Sequence, residues 1–442
     1  MDTPIYDFLC RYNDADMVRF HMPGHKGKSF LGCEPVDLTE VHGADALYEA
    51  DGIIARSEAN AAALFGSQRT CYSTEGSSQC IRAMLYLALT CRPAGAVPII
   101  VAARNVHKTF VYAAALLDFE VVWLWPEGNS RTLCGCPVSP ETLGKTLAAL
   151  PAPPAAVYLT SPDYLGGMAD IPALAEVCHA YGTVLAVDNA HGAYLRFLSP
   201  SRHPLDLGAD LCCDSAHKTL PVLTGGAYLH IGRCAAMAER AKSALALFGS
   251  TSPSYLTMAS LDLCNRYLAE GYPARLVETV QRLSALRETL TSRGWRVEDS
   301  DPLRLVIAAP AGLSGTALAD RLRQGGVECE YADRDFLVLM ATPENTPADF
   351  DRLLVALGEN YAPYAPSTPL PLAKGARACS IREALFAPQE TVTVEKALGR
   401  VCGAPMVACP PAIPIAVSGE VIGPEALALF RHYGVETVDV LK

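Results

Sequence analysis

Between Arg69 and Ile231 the chain alternates short β-rich apolar runs with helical stretches, and this alternation restricts its possible folds more than any other feature. The runs fall at residues 69–73, 98–102, 120–124, 156–160, 183–188, 209–214 and 226–231. Most are apolar almost throughout, the pattern of parallel strands covered on both faces. In the helical stretch after the first run, Ile81, Met84, Leu85, Ala88 and Leu89 recur at helical spacing and form one apolar stripe. The expected architecture is a doubly wound α/β domain, in which ligands bind beyond the carboxyl ends of the strands.

The pattern changes after that domain. Residues 253–293 read as one long helical region. Strands at 302–308, 326–331 and 335–341, with helices at 314–324 and 347–359, predict a smaller α+β domain. The proline-rich stretch 360–374 reads as a linker, 394–402 as a helix, and 409–414 as too dense in proline for regular structure. Half of the 442 residues are hydrophobic, enough to bury a large core in two or more domains.

Charge and cysteine usage remove several classes. A net charge of −11 argues against nucleic acid as the main partner, because phosphate backbones call for a basic face. No run reaches the roughly 20 apolar residues of a membrane span, and Met1-Asp2-Thr3-Pro4 lacks the basic and apolar regions of a signal peptide. A cytoplasmic, reducing location is expected, in which the 16 cysteines are mostly free, buried thiols. Cys134-Gly135-Cys136 and Cys212-Cys213 lack the paired spacing of a zinc site, so no metal is expected.

His-Lys occurs at His25-Lys26, His107-Lys108 and His217-Lys218. Lys26 precedes the sheet, and Lys108 has no strand-end carboxylate upstream. Lys218 has Asp188, at the end of the preceding run. An amine and a carboxylate at the ends of neighbouring strands suit pyridoxal 5′-phosphate. The lysine holds the aldehyde as a Schiff base, and the carboxylate keeps the pyridine nitrogen protonated. A lone carboxylate closing a buried run is costly without a cationic partner; capping the next element is its other use. His191 is placed to orient Asp188 or to lie on the surface. Gly76, Ser77 and Ser78 open the helix with the apolar stripe, where free N–H groups make a phosphate site or an ordinary cap. Ser215 and His217 add donors beside Lys218. His107 follows a strand and is a candidate to stack on the cofactor ring, or a loop histidine.

These residues sit in motifs that resemble the Orn/Lys/Arg decarboxylases, group III decarboxylases of the aspartate-aminotransferase fold (fold type I). The motifs are Phe20-His21-Met22-Pro23-Gly24-His25-Lys26-Gly27, Leu64-Phe65-Gly66, Asn105-Val106-His107-Lys108, Thr160-Ser161-Pro162-Asp163-Tyr164-Leu165-Gly166, Asp188-Asn189-Ala190-His191-Gly192, Ser215-Ala216-His217-Lys218-Thr219-Leu220-Pro221, Thr251-Ser252-Pro253-Ser254-Tyr255, Arg382-Glu383-Ala384 and Pro410-Pro411-Ala412-Ile413-Pro414. The resemblance implies a large domain with a mainly parallel seven-stranded sheet and a smaller α+β domain. It divides the chain into an N-terminal segment with an active-site loop (1–68), a cofactor-binding domain (69–290), a small domain (291–360) and a C-terminal linker and segment (361–442). The implied activity is decarboxylation of arginine, lysine or ornithine to a polyamine-pathway amine; another fold-type-I reaction and a non-catalytic homologue are the alternatives.

Lys218, Asp188, His107 and His191 would then be catalytic. Gly76, Ser77, Ser78, Ser215 and His217 would hold the phosphate, and Ser161 would line the cofactor's edge. Thr251 or Ser252 would reach the phosphate of a neighbouring subunit, which makes a homodimer, or a dimer of dimers, with active sites at the interface. His25, Tyr164, Asp45 and Glu49 are candidates for contacting the substrate; for the acidic pair a solvated face is the alternative. The chain departs from the family pattern at Asn189, usually Glu, at Glu75, usually Asn, and at Ala412, usually Gly. It starts almost at the core of such enzymes, so decamers built by an N-terminal wing domain are not expected.

Overall fold

The computed structural model describes residues 1–92, 94–128, 131–364, 369–405 and 411–442. Cys409 and Pro410 of the proline-dense run, and part of the linker at 360–374, lie outside them. Seven strands fall where the apolar runs predict: β1 Arg69–Ser73, β2 Val97–Ala103, β3 Glu120–Leu124, β4 Pro154–Thr160, β5 Val184–Asp188, β6 Leu211–Asp214 and β7 Ala227–Ile231. They form one sheet in the order β1-β7-β6-β5-β4-β2-β3. β2 runs parallel to β3 and β5 to β6, whereas β7 is antiparallel to both of its neighbours, β1 and β6. The near-continuous apolar pattern has its cause in burial: every residue of β6 and β7 is buried, as are the last four of β5.

By compactness the chain divides into two units. The first comprises Met1–Val97, Ala155–Tyr158 and Ile171–Val277. The second comprises Pro98–Pro154, Leu159–Asp170 and Glu278–Lys442. In the first unit the N-terminal helix Pro4–Asp14 is tied down by Asp262, whose Oδ2 accepts the Ile5 and Tyr6 N–H groups at 2.9 and 3.0 Å. The helix Gly76–Thr90 buries its Ile81 stripe as expected.

In the second unit, β8 Val297–Glu298, β9 Arg304–Ala308, β10 Tyr331–Ala332 and β11 Phe336–Met340 make an antiparallel sheet in the order β10-β11-β9-β8. Leu305, Ile307, Leu337 and Leu339 pack with Leu318 and Leu322 of the helix Gly315–Gln324 and with Leu353 and Leu357 of the helix Pro347–Leu357. A ribbon of β12 Gln389–Thr393 and β13 Thr437–Leu441, neither anticipated from the sequence, carries a further core around Ile422 and Phe430.

Three local expectations need correction. The region 253–293 is two helices, Tyr255–Ala269 and Tyr272–Ser292, because Gly271 takes φ +88°, which ends the first. Residues 394–402 are not an α-helix: a 3-10 turn, Val394–Lys396, gives way to Gly399 at φ +75°, and Val401 and Cys402 then bridge to Val421 and Val440. Val394, Ala397 and Cys402 are buried all the same, so the apolar spacing reported burial and not helix. The strand expected at 326–331 shrinks to the two-residue edge strand β10, since only Tyr331 and Ala332 pair with β11.

Candidate active site

In the first unit the ends of β5 and β6 carry the two predicted reactive groups. Asp188 is the last residue of β5 and pairs in register with Cys213 of β6. Lys218 lies on the four-residue helix Ala216–Thr219 that follows β6, half-buried. Its Nζ is 2.7 Å from His191 Nε2. An ammonium can only donate, so His191 Nε2 is the acceptor when Lys218 is charged.

Asp188 is 3% exposed, and the protein gives its carboxylate three donors. Tyr158 O–H donates to Oδ2 at 3.1 Å. The Ala190 N–H and the Cys213 thiol donate to Oδ1 at 3.2 and 3.6 Å. Burial pushes the Asp188 pKa up; the Lys218 charge and these donors pull against it, and the net shift stays upward. Such a carboxylate gains most from a cation brought in next to it, and a protonated pyridine nitrogen is one.

The residues expected to cradle a phosphate stand at the start of the helix Gly76–Thr90. Glu75 in the cap position makes no side-chain cap, so the first-turn N–H groups are not claimed by it. Ser215 Oγ donates to Ser77 Oγ at 2.8 Å, which joins the cradle to the lysine-bearing segment. Gly76 is needed at φ +72°, and a Cβ there would meet nothing within 4 Å. Glu75 turns away from the cradle: its Oε1 accepts the Ser250 N–H at 2.6 Å. Ser78 is half-buried in the same turn. His217 is drawn towards β7, its Nδ1 donating to the Gly226 carbonyl at 3.0 Å.

The other candidates of the first unit have contacts of their own. Thr251 and Ser252 sit on an exposed turn. His25 Nε2 contacts Asp37 Oδ2 at 3.2 Å, while its Nδ1 accepts the Gly27 N–H at 3.0 Å. Glu49 is exposed. Asp45 is buried, and its carboxylate accepts N–H groups from Ala46, Asp51, Gly52, Ile54 and Ala55, which caps the helix Ile53–Phe65. A carboxylate so occupied is a structural cap and a poor receptor for a substrate cation.

In the second unit His107 caps the helix Lys108–Leu117, its Nδ1 accepting the Thr109 N–H at 3.2 Å. Ser161 is buried and its Oγ accepts the Ala169 N–H at 3.1 Å. Tyr164 donates to Glu330 at 2.7 Å. The carbonyls of Asp163 and Tyr164 are gripped by the buried Arg304, which is also paired with Asp301 at 3.1 Å. Sequence reasoning missed Arg304, Tyr158 and Cys213. The visible signal was a polar side chain inside runs otherwise aliphatic.

The donor set in the first unit fits pyridoxal phosphate: a lysine amine, a buried acid pushed up in pKa by burial, and serines at a helix start. Comparison with known proteins agrees. The family model described as the Orn/Lys/Arg decarboxylase major domain matches residues 3–308. The chain belongs to the Orn/Lys/Arg decarboxylase family. An arginine decarboxylase of Bacillus subtilis is 27% identical over 98% of this chain and 94% of its own. The constitutive lysine decarboxylase of E. coli superposes with a TM-score of 0.80 at 18% identity, over 100% of this chain and 82% of that one. A serine palmitoyltransferase from S. paucimobilis solved with bound PLP superposes with a TM-score of 0.55 at 17% identity, over 71% of this chain and 78% of that one. The decarboxylase fold is thus fold type I, as expected, and pyridoxal phosphate is its cofactor.

Proposed function

We propose that this decarboxylase acts on arginine, with Lys218, Asp188 and His191 at its reactive centre. Its membership of the family makes it a pyridoxal-phosphate-dependent decarboxylase of basic amino acids. The choice of arginine is supported by the relatives that match along almost its whole length, among them arginine decarboxylases of Bacillus subtilis and Halalkalibacterium halodurans. The observation that carries the assignment of the centre is the placing of Lys218 Nζ against His191 in the unit that also holds the buried Asp188.

Bound at this site, pyridoxal phosphate supplies an electron sink for the pair released when the α-carboxylate departs as CO2. The protein supplies position and charge. Lys218 would hold the cofactor's aldehyde carbon through its amine. Asp188, kept in place by Tyr158 and Cys213, would favour a positive charge on the ring nitrogen. Lys218 and His191 hold between them the proton that replaces CO2 at the α-carbon. Ser77, Ser78, Ser215 and the N–H groups at the start of Gly76–Thr90 bind the phosphate. His107 and Ser161 are our further candidates for the cofactor, and Tyr164, His25 and Glu49 for the substrate.

We further read the enzyme as a cytoplasmic homodimer contributing to polyamine biosynthesis. Two observations support the second copy. Thr251 and Ser252 stand exposed on their turn, and the segment from Met17 to Leu31 exposes large apolar side chains, with Phe20 at 95% and Leu31 at 89%. All fifteen described cysteines are free, which suits a reducing compartment, and no helix among the described residues is long and apolar enough to cross a membrane. The division into 1–68, 69–290, 291–360 and 361–442 remains our reading of the domains.

The purified protein, loaded with pyridoxal phosphate, should release CO2 from arginine and yield agmatine by mass. Cadaverine from lysine or putrescine from ornithine at higher kcat/KM would move the substrate assignment; no CO2 from any of the three would end the proposal.

A further inference from the structure

A cluster of buried polar groups lies behind the reactive centre, in the first unit, and the mechanism does not use it. Asp214, His203 and His230 are all fully buried. Asp214 Oδ2 receives His203 Nε2 at 3.0 Å and His230 Nε2 at 3.2 Å. Its Oδ1 receives the Asn189 amide at 2.7 Å and the Cys212 thiol at 3.7 Å. The cluster therefore ties together the end of β5, through Asn189, the end of β6, through Asp214, and the paired strands β7 and β1, where Thr70 Oγ1 meets His230 Nδ1 at 2.8 Å.

Two imidazoles and a carboxylate at these distances also describe a metal site. The other ring nitrogens argue against it. His203 Nδ1 accepts the Leu205 N–H at 3.4 Å, so a ring proton sits on Nε2, the atom facing Asp214. That nitrogen then has no lone pair for a cation. Burial pushes the Asp214 pKa up, but the two histidines that face its carboxylate outweigh burial and hold it below the ordinary range. Asp214 thus stays ionised without a metal.

The sequence neighbours of this cluster are the reactive residues themselves. Asn189 follows Asp188, and Asp214 precedes Ser215 by one residue and Lys218 by four. The Asn189 oxygen is buried without a hydrogen-bond partner among the described residues, so the amide is oriented from its nitrogen side, by Asp214. We propose that Asp214, held by His203 and His230, is a positioning residue that acts through Asn189 to fix Asp188 relative to Lys218. The proposal rests on the cofactor reading given above. It assigns to a fully buried charge a task that packing alone would not need.

The test uses the full-length protein with pyridoxal phosphate and three variants. Asn189→Ala cuts the link and leaves the Asp214–histidine contacts in place. Asp214→Asn disturbs both. The reciprocal exchange, Asn189→Asp with Asp214→Asn, restores a carboxylate–amide pair in the opposite sense. Asn189→Ala is expected to lower kcat about tenfold to a hundredfold with KM within about twofold. Its bound cofactor's visible absorbance should shift and its cofactor Kd rise, while the cofactor-free protein melts within about 2 °C of wild type. The exchange should recover absorbance and Kd that Asp214→Asn loses; if Asp214→Asn does not fold, recovery of a folded, cofactor-binding protein by the exchange counts the same way. Wild-type absorbance, Kd and kcat in Asn189→Ala would overturn the proposal, as would one equivalent of zinc in the purified protein that leaves with Asp214→Asn. Failure of the wild-type protein to take up pyridoxal phosphate at Lys218 would instead defeat the cofactor reading.

Discussion

Lys218 Nζ and His191 Nε2 stand 2.7 Å apart although 27 residues separate them in the chain. The helix Ala216–Thr219 brings one to the end of β6, and the turn after β5 brings the other. A proton held in this pair can be handed to a third atom without crossing solvent.

Replacing Lys218 by alanine should remove both covalent capture of the cofactor and turnover. The expected loss in kcat is on the order of a thousandfold or more, together with the visible absorbance of the bound cofactor. Retained absorbance at full occupancy would reassign the lysine.

His191→Gln should keep cofactor binding and lower kcat by roughly a hundredfold, the range for a lost proton donor or acceptor. The pH profile of kcat/KM decides the matter: it should lose one of its limbs. An unchanged profile would leave Lys218 as the sole proton carrier.

Tyr158→Phe removes a donor from Asp188 and nothing else of its shape. The carboxylate then binds its proton more tightly, so its upward pKa shift grows. We expect about a tenfold loss in kcat and a loss of about 1–2 kcal/mol in stability. Activity and the urea midpoint of unfolding measure the two separately.

Asp163 supplies a pH prediction. Burial pushes its pKa up to about 6, against the pull of the Gly167 N–H, Arg304 and the Leu165 N–H. The protonated form is thus favoured by folding. The stability it lends is complete below the ordinary carboxylate value and disappears as pH rises through about 6. Melting temperature should fall between about pH 4 and about pH 6.5 and level off above that, and Asp163→Asn should flatten the fall. A slope unaltered by the substitution would place the titration elsewhere.

The sheet was legible because its central strands are buried on both faces, and a continuous apolar run such as Leu185-Ala186-Val187 suits little besides a covered strand. Asp188 and Lys218 were legible because charge at the end of such a run is expensive. The geometry around them was not. Nothing in the order of residues says that Tyr158 reaches Asp188 or that Asn189 reaches Asp214; both contacts depend on which strands become neighbours. The turn at Val394–Lys396 misled for a related reason, since helical spacing and a folded-back chain bury the same side chains.

Asp45 bears on any attempt to change what this enzyme accepts. An acidic side chain ahead of the sheet is the natural first target for someone redesigning selectivity towards longer or shorter cations. Its carboxylate is already occupied by the start of the helix Ile53–Phe65. A library randomised at that position would select for chains that still fold, and its survivors would say little about the substrate.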